Sequence, residues 1–511
     1  MNRRLGVIFS YLLIFVEALS TLLFAPFLLS SLGQAEYGVY KLVASITTYL
    51  FLLDMGVSTS VIKFMSKYRA NGQLEEQRRF LGVSTIYYAL IAVLVLLVGM
   101  VLYAIFPTAF AKGLSAEETA LGQKLLNMTM INAAVTLGTS GYFNTLMAYE
   151  KFMLSKCCSI AQIVVRVALD VVALLMGFGS VGVVAVDLGV TVVIRIFMVL
   201  YVVRKLHLSP TFKNLHFKFI KEIFSFSSIV FLQLIATQIN RMTDQVLLGM
   251  LVQNASVIIA VYAVGIQIVN YAQNIGSSMN GVLMPGVVRL VEKGASPETL
   301  QAEMIRVGRM LFMILSIIWT VFLVNGKTFI ILWMGEASQD GYFVAVILMF
   351  INVFVISQSI GSQILWAINK HKTQAILQIF SAVLNIVLTI LLIRWNPLLG
   401  ATLGTFLSLF LGDIVVMAIV FRKDIGIHIG AYYKGLIHRT DVCLLLSLAA
   451  GLLSKHFLAE NSILHFVINC AIMCVVYGVG MLLFGMNQQE KQLLKSTLDK
   501  VFSIFKKRTA N

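Results

Sequence analysis

Charged side chains are scarce in this sequence. Only 12% of its 511 residues are Asp, Glu, Lys or Arg, whereas 59% are hydrophobic, and ordinary soluble domains carry about twice that charged fraction. This scarcity excludes a soluble globular protein and indicates an integral membrane protein. Acidic residues are fewer than basic residues, with 23 Asp and Glu against 39 Lys and Arg. The excess basic residues lie in short clusters between apolar runs, which excludes a nucleic-acid-binding face or arm.

Cysteines and catalytic motifs are also sparse. The five cysteines lie in or beside apolar runs, so they cannot form the disulfide framework of a secreted domain; they are Cys157, Cys158, Cys443, Cys470 and Cys474. The seven histidines show no metal-ligand spacing, and no set of Ser, His and Asp has a catalytic context. The segment GFGSVG (177–182) has the spacing of a dinucleotide-binding loop, but no strand precedes it. We therefore predict no enzyme, no metal site and no cofactor.

Apolar runs of about 20 residues recur along the whole chain, and this is the length that crosses a bilayer as a helix. They predict an all-α, polytopic membrane protein with about fourteen transmembrane helices. Basic residues fall mainly in alternate connections, so the positive-inside rule places both termini in the cytoplasm. Lys41, Lys112 and Lys124 are among the few lysines that this orientation assigns to the outer side.

An internal repeat is indicated by loop features that recur at a nearly constant separation. Tyr40 and Tyr262 each begin a span after an outer turn, and Gly182 and Gly400 each open the last span of a half. We therefore predict two six-helix lobes in parallel orientation, and transporters with such lobes bind substrate between them. The predicted domains are an N-terminal lobe (1–205), a cytoplasmic linker (206–222), a C-terminal lobe (223–422), helices 13 and 14 (441–485) and a basic cytoplasmic tail (486–511).

Several ionisable residues fall inside predicted spans. An arginine at the bilayer centre costs roughly 3 kcal/mol, and such residues normally face a bundle interior or an aqueous cavity. Three arginines have an aspartate at helical spacing on the same span: Arg166 with Asp170, Arg195 with Asp187, and Arg241 with Asp244. Glu17 has no charged neighbour in its own span. The pairs either fix helix packing or belong to a transport site, and the spacing leaves both alternatives open.

A polar stripe runs along predicted span eight (256–285). Gln267, Asn270 and Asn274 step by three and four residues, so they share one face of the helix. Membrane helices usually turn such faces toward other helices or water rather than lipid.

Four segments carry a resemblance to a known family. PFLLSSLGQAEYGVY (26–40), LLDMGVSTSVIKFMSKY (52–68), NRMTDQVLLGML (240–251) and AVYAVG (260–265) resemble the Wzx-type polysaccharide flippases, which translocate O-antigen and capsule repeat units. This family belongs to the multidrug/oligosaccharidyl-lipid/polysaccharide exporter superfamily. The resemblance implies a MATE-like core of two six-helix lobes with two additional C-terminal helices, in the bacterial inner membrane. It also implies an oligosaccharide on a polyprenyl diphosphate as substrate, and a polysaccharide polymerase or ligase as a potential partner.

The polar residues inside the spans fit such a substrate, because arginine binds phosphate oxygens and amides bind sugar hydroxyls. We expect Arg241, with Arg166 or Arg195, to contact the diphosphate. The sugar contacts are expected from Gln267, Asn270 and Asn274, and the ion-coupling groups from Glu17, Asp170 and Asp244.

Two rival functions remain open. A cation-coupled multidrug exporter of the same fold typically has an acidic cavity, and the three arginines inside the spans argue against it. A membrane polysaccharide polymerase or ligase usually needs a large external loop, and the longest predicted outer connections, 107–120 and 325–341, are short.

Overall fold

The computed structural model describes residues 2–212, 238, 242–368, 370–457, 463–492 and 495–496, and within them it contains helices and no strand. The all-α fold class is thus confirmed. The helices in chain order are α1 (Asn2–Leu50), α2 (Val57–Ala70), α3 (Leu74–Ala109), α4 (Ala116–Gly138), α5 (Ser140–Ala148), α6 (Phe152–Leu175), α7 (Gly179–Leu200), α8 (242–251), α9 (Ala255–Glu292), α10 (Pro297–Met334), α11 (Gly341–Ser357), α12 (Ser359–Ala367), α13 (His371–Ile393), α14 (Pro397–Ser408), α15 (Met417–Val420), α16 (Ile429–Ile437), α17 (Thr440–Phe457) and α18 (Ile463–Gly480).

Eleven helical segments in the described part of the chain are long and apolar enough to cross a membrane. One of them, Leu12–Ala70, combines predicted spans one and two. Predicted span four (121–148) forms α4 and α5 and is not among the eleven, and predicted span seven (223–251) lies mostly outside the described residues. The chain is therefore a multi-pass membrane protein, and the count of fourteen helices stays a prediction.

The described residues form two compact units. The first comprises parts of Met1–Gln267 and Lys372–Asp413, and the second comprises parts of Ile268–His371 and Ile414–Asn511. Helix α9 begins in the first unit and continues into the second. The predicted lobe boundaries stay a prediction.

The first unit contains two breaks in its long N-terminal helical segment. Gly33 interrupts α1 with φ 74° and ψ 171°, a conformation that favours glycine. A second break follows Asp54, where Met55 and Gly56 both have left-handed backbones before α2 begins. The Asp54 carboxylate accepts hydrogen bonds from the backbone N–H and the hydroxyl of Ser58, at 3.3 and 3.0 Å. Predicted span two (38–62) is therefore not continuous, because a capped turn divides it.

Close backbone contacts join the second half of α1 and the α3–α4 loop to α8 and the start of α9. A Cβ atom on Gly38 would overlap the backbone carbonyl of Ser256, and one on Gly113 would overlap the carbonyl of Gly249. The N–H of Ala255 donates to the carbonyl of Gly113 at 2.7 Å. All of these residues belong to the first unit. The absence of a side chain at Gly38 and Gly113 is what allows these backbones to meet.

We expect Gly38→Ala to destabilise the protein by about 1–3 kcal/mol, the usual cost of overpacking, because the added methyl meets backbone that cannot turn aside. Gly189→Ala is the matched control. A Cβ atom there has open space within 4 Å, and alanine favours a helix interior by about 1 kcal/mol over glycine. Thermal unfolding of both purified variants in detergent measures the difference. Equal midpoints for the two variants would contradict the close contact at Gly38.

The second unit is built around α10, which packs against α11, α16, α17 and α18. Buried amides connect the last two long helices to it: the Asn325 side-chain N–H donates to Asn469 Oδ1 at 3.1 Å, and Asn469 donates to the carbonyl of Gly451 at 2.9 Å. The hydroxyl of Tyr477 donates to the carbonyl of Met313 at 2.9 Å. These bonds fix α17 and α18 against α10 without any charged group.

Candidate functional site

A cavity of about 460 Å³ lies within the first unit. Its wall comes from α1, α4, α6 and α7, with one residue of α9. The polar and charged lining residues are Ser20, Thr21, Tyr40, Lys41, Thr47, Thr48, Thr129, Asn132, Thr136, Gln162, Arg166, Asp170, Asp187, Thr191, Arg195 and Gln267. Four predicted site residues, namely Arg166, Asp170, Arg195 and Gln267, are thus brought together in one cavity.

The charged residues pair differently from the sequence prediction. Arg166 Nη1 lies 3.4 Å from Asp187 Oδ1, so its ion pair crosses from α6 to α7. The other carboxylate oxygen of Asp187 accepts a hydrogen bond from the Asn132 amide at 2.7 Å. Helical spacing pairs Arg166 with Asp170, and this partner is wrong, because the ion pair of Arg166 is with Asp187. The reason is that the guanidinium of Arg166 reaches across the cavity wall to the facing helix instead of lying along its own.

Asp170 and Arg195 keep polar atoms without partners in the part of the chain that the structure describes. Asp170 is 1% exposed, and its Oδ1 accepts no hydrogen bond from the described residues. Arg195 Nη1 is buried and likewise has no partner among them. The Arg195 guanidinium lies 5.4 Å from the centre of the Phe143 ring. A hydrogen-bonding acceptor for Arg195 and a donor for Asp170 would satisfy both atoms, so the cavity is suited to a polar ligand.

Lys41, which the positive-inside rule counts with the outer side, lies in α1 and lines the cavity. Its Nζ lies 5.1 Å from the ring centre of Tyr37 and 5.7 Å from that of Tyr40. A usable signal is present in the sequence. Lys41, Ala44 and Thr48 step by three and four residues, so they share the face of the helix that lines the cavity.

None of the other predicted site residues that the structure describes lines the cavity. Glu17 is exposed on α1, one turn before lining residues Ser20 and Thr21. Asn270 and Asn274 belong to the second unit. Arg241 lies outside the described residues.

A second polar cluster, separate from the cavity lining, surrounds Asp244. This carboxylate is 3% exposed and accepts hydrogen bonds from the hydroxyls of Thr389 at 3.2 Å, Thr405 at 2.5 Å, and Tyr262. The Asn385 amide donates to Thr405 at 2.8 Å, and Asn385 Oδ1 is buried with no partner among the described residues. Four helices, α8, α9, α13 and α14, supply these side chains. The cluster can hold a proton or a small cation, because its oxygen atoms converge in a buried position.

Comparison with known proteins shows the family of this chain and its fold. Residues 5–291 match the family described as "Polysaccharide biosynthesis protein". No curated protein matches the sequence. Among solved structures, lipid II flippase MurJ in an inward closed conformation has 15% identity to this chain and a TM-score of 0.69. The match covers 93% of this chain and 98% of the MurJ chain.

Two further solved structures share the fold. An inward-facing multidrug resistance MATE family transporter of the MOP superfamily has 14% identity and a TM-score of 0.66, over 81% of this chain and 96% of its own. A MOP superfamily transporter from Pyrococcus furiosus has 15% identity and a TM-score of 0.57, and the match covers 84% of this chain and 94% of the transporter. The description of that structure notes the reverse polarity of its binding pocket. At these identities the likeness shows the fold alone.

Proposed function

The chain belongs to the polysaccharide biosynthesis protein family, and from this premise we propose that it is a flippase for polyprenyl-diphosphate-linked oligosaccharide repeat units. It moves them by alternating access across the bacterial inner membrane for the synthesis of a surface polysaccharide such as the O-antigen of lipopolysaccharide, with both termini in the cytoplasm. The observation that carries the proposal is the cavity of the first unit, where Arg166 and Arg195 share a wall with threonine, asparagine and glutamine side chains.

The chemistry of this cavity matches the two polar parts of such a substrate. A diphosphate in hydrocarbon would have the high cost of a buried charge, and guanidinium groups offset it with charge-assisted hydrogen bonds. The amide and hydroxyl side chains donate to and accept from sugar hydroxyls. Arg166 and Arg195 therefore contact the diphosphate, while Gln267 and the neighbouring hydroxyl groups contact sugar. Arg241, Asn270 and Asn274 remain proposed contacts, and the polyprenyl chain stays in lipid.

Energy for the cycle comes from an ion that the acidic groups bind and release. Asp244 has the geometry for this role, because it is buried and surrounded by hydroxyl oxygen atoms. Asp170 is the second candidate, since its unpartnered oxygen lies in the cavity wall. Glu17 is the third, although its side chain is exposed. A polysaccharide polymerase or ligase receives the substrate after it has crossed.

The proposal is tested by deleting the gene and complementing with wild type, Arg195→Ala or Arg394→Ala. Deletion is expected to remove one surface glycan and to accumulate its lipid-linked unit on the cytoplasmic leaflet. Loss of the charge-assisted contact is worth about 1.5–3 kcal/mol, so Arg195→Ala should complement roughly tenfold less well or worse. Arg394 is an exposed arginine outside the cavity lining, and its replacement should complement fully.

Two results would reject the proposal. Accumulation of the lipid-linked unit on the outer leaflet would indicate a polymerase or ligase. Unchanged glycans together with new drug sensitivity would indicate a multidrug exporter, a function also consistent with a MATE-like fold.

A further inference from the structure

Lys41 places an additional positive charge in the cavity wall. It lies on α1, whereas Arg166 lies on α6 and Arg195 on α7, and all three side chains line the same cavity. Its ammonium stands near the faces of two tyrosine rings, Tyr37 and Tyr40, at 5.1 and 5.7 Å from their centres. Ring faces attract a cation through their quadrupole without removing its charge. The two rings therefore hold the ammonium in place and leave it able to bind an anion.

The charges around the cavity do not cancel locally. Arg166 has Asp187 as its ion-pair partner, whereas neither Lys41 nor Arg195 has a carboxylate within 4.0 Å in the part of the chain that the structure describes. An unpaired cation inside a membrane protein is costly and is usually retained because it binds something. Two such cations on one cavity wall match the two negative charges of a diphosphate diester.

Tyr40 lines the same cavity as four charged residues, namely Lys41, Arg166, Asp170 and Asp187. An anion bound there by Lys41 would also lie within the field of Arg166. Asp170 carries the unpartnered oxygen atom in this region, and it can accept a hydrogen bond from a hydroxyl or amide next to the bound anion.

Resting on the flippase function proposed above, we propose that Lys41 binds the phosphate oxygens of the substrate and that Tyr37 and Tyr40 position its ammonium group. The lysine ammonium acts as a compact point charge with three donors, which suits phosphate oxygens approached from several directions. Arg166 and Arg195 supply the planar, bidentate contacts. The sugar that follows the diphosphate donates a hydrogen bond to Asp170, so the cavity recognises both the diphosphate and the sugar attached to it.

The test measures binding of bare polyprenyl diphosphate and of neutral polyprenol to the full-length protein in lipid nanodiscs. Wild type is expected to bind the diphosphate more tightly. Lys41→Gln should weaken diphosphate binding roughly 10- to 100-fold and leave polyprenol binding unchanged, whereas Lys41→Arg should keep most of the affinity. Lys112→Gln removes the same charge from an exposed loop position and should bind as wild type does.

The tyrosines are tested in the same assay. Tyr40→Phe keeps the ring and should keep the affinity for the diphosphate. Tyr40→Leu removes the ring and should lower that affinity while polyprenol binding stays constant, a selectivity that a general packing defect would not produce.

The outcomes separate the assignment of Lys41 from the proposed function. Wild-type affinity in Lys41→Gln, or an equal loss for both lipids, would overturn the assignment while the wild-type preference for diphosphate stands. If wild type itself showed no preference for polyprenyl diphosphate, the flippase function would fail and Lys41 with it.

Discussion

Asp244→Asn is expected to abolish gradient-driven transport while leaving substrate binding close to that of wild type. The carboxylate is buried among the hydroxyls of Thr389, Thr405 and Tyr262. Asparagine keeps the shape and part of the hydrogen bonding, but it can neither release a proton nor balance a cation. A buried acid within a membrane protein is functional by default, and this one has the donor atoms that an exchanged ion requires.

Transport is measured in proteoliposomes as movement of a lipid-linked oligosaccharide under an imposed proton or sodium gradient. Asp244→Asn should lower the gradient-dependent rate at least tenfold, about 1.4 kcal/mol or more in the barrier. Asp441→Asn is the matched control, because that aspartate is exposed at the start of α17. A variant at Asp244 that still responds to either gradient would remove this residue from the coupling mechanism and leave Asp170 and Glu17 as the candidates.

The chemistry inside the spans could be predicted from the sequence because charge is rare there. Arg166, Asp170, Arg195 and Gln267 were selected as polar residues in apolar runs, and the structure brings all four to one cavity. The family resemblance was also confirmed by the match over residues 5–291, and the MATE-like fold by the solved structures. Hydropathy and periodicity are averages over many residues, so small local errors do not affect such conclusions.

Pairing between side chains could not be predicted in the same way. Arg166 has an aspartate four residues later, which helical spacing brings to the same face, yet its ion pair is with Asp187 on the facing helix. The rotation of α6 against α7 decides this choice, and that rotation depends on packing along their whole length. Local spacing therefore identifies which charged residues face the interior of the bundle, but not which of them form ion pairs with each other.

The position of Lys41 shows a related limit. The positive-inside rule counts Lys41 with the outer side because it lies near the start of predicted span two (38–62), but the rule does not say what the side chain faces. In the structure α1 continues past this residue to Leu50, and the break comes later, at Phe51–Gly56.

The hydrogen-bond partners of Asp244 could not be predicted for another reason. Thr389 and Thr405 lie more than a hundred residues away along the chain, and only the fold brings their hydroxyls to it.

Arg309→Ala is expected to destabilise the second unit by about 3–5 kcal/mol, the range for breaking a buried ion pair from one side. Arg309 is 6% exposed, and its Nε donates to Glu490 Oε1 at 2.7 Å. Its two terminal nitrogens donate to the carbonyls of His438 at 2.7 Å, Gly435 at 3.2 Å and Gly485 at 2.6 Å. One guanidinium thus joins α10 to the C-terminal end of α16 and to the segment after α18, and its removal leaves a buried carboxylate and three carbonyls without this donor.

Thermal unfolding in detergent should show this loss clearly against Arg306→Ala, one turn earlier on the same helix. Arg306 also has an ion pair, with Glu303 at 2.6 Å, but its side chain is 49% exposed, and exposed pairs contribute only about 0–1 kcal/mol. The double variant Arg309→Ala with Glu490→Ala should be less destabilised than the two single effects added together, because the uncompensated charge disappears with its partner. Additive effects would mean that Arg309 stabilises the unit through its carbonyl contacts alone. An Arg309→Ala midpoint equal to that of Arg306→Ala would mean that the last two long helices are held by their apolar and amide contacts, and that the buried guanidinium contributes no net stability.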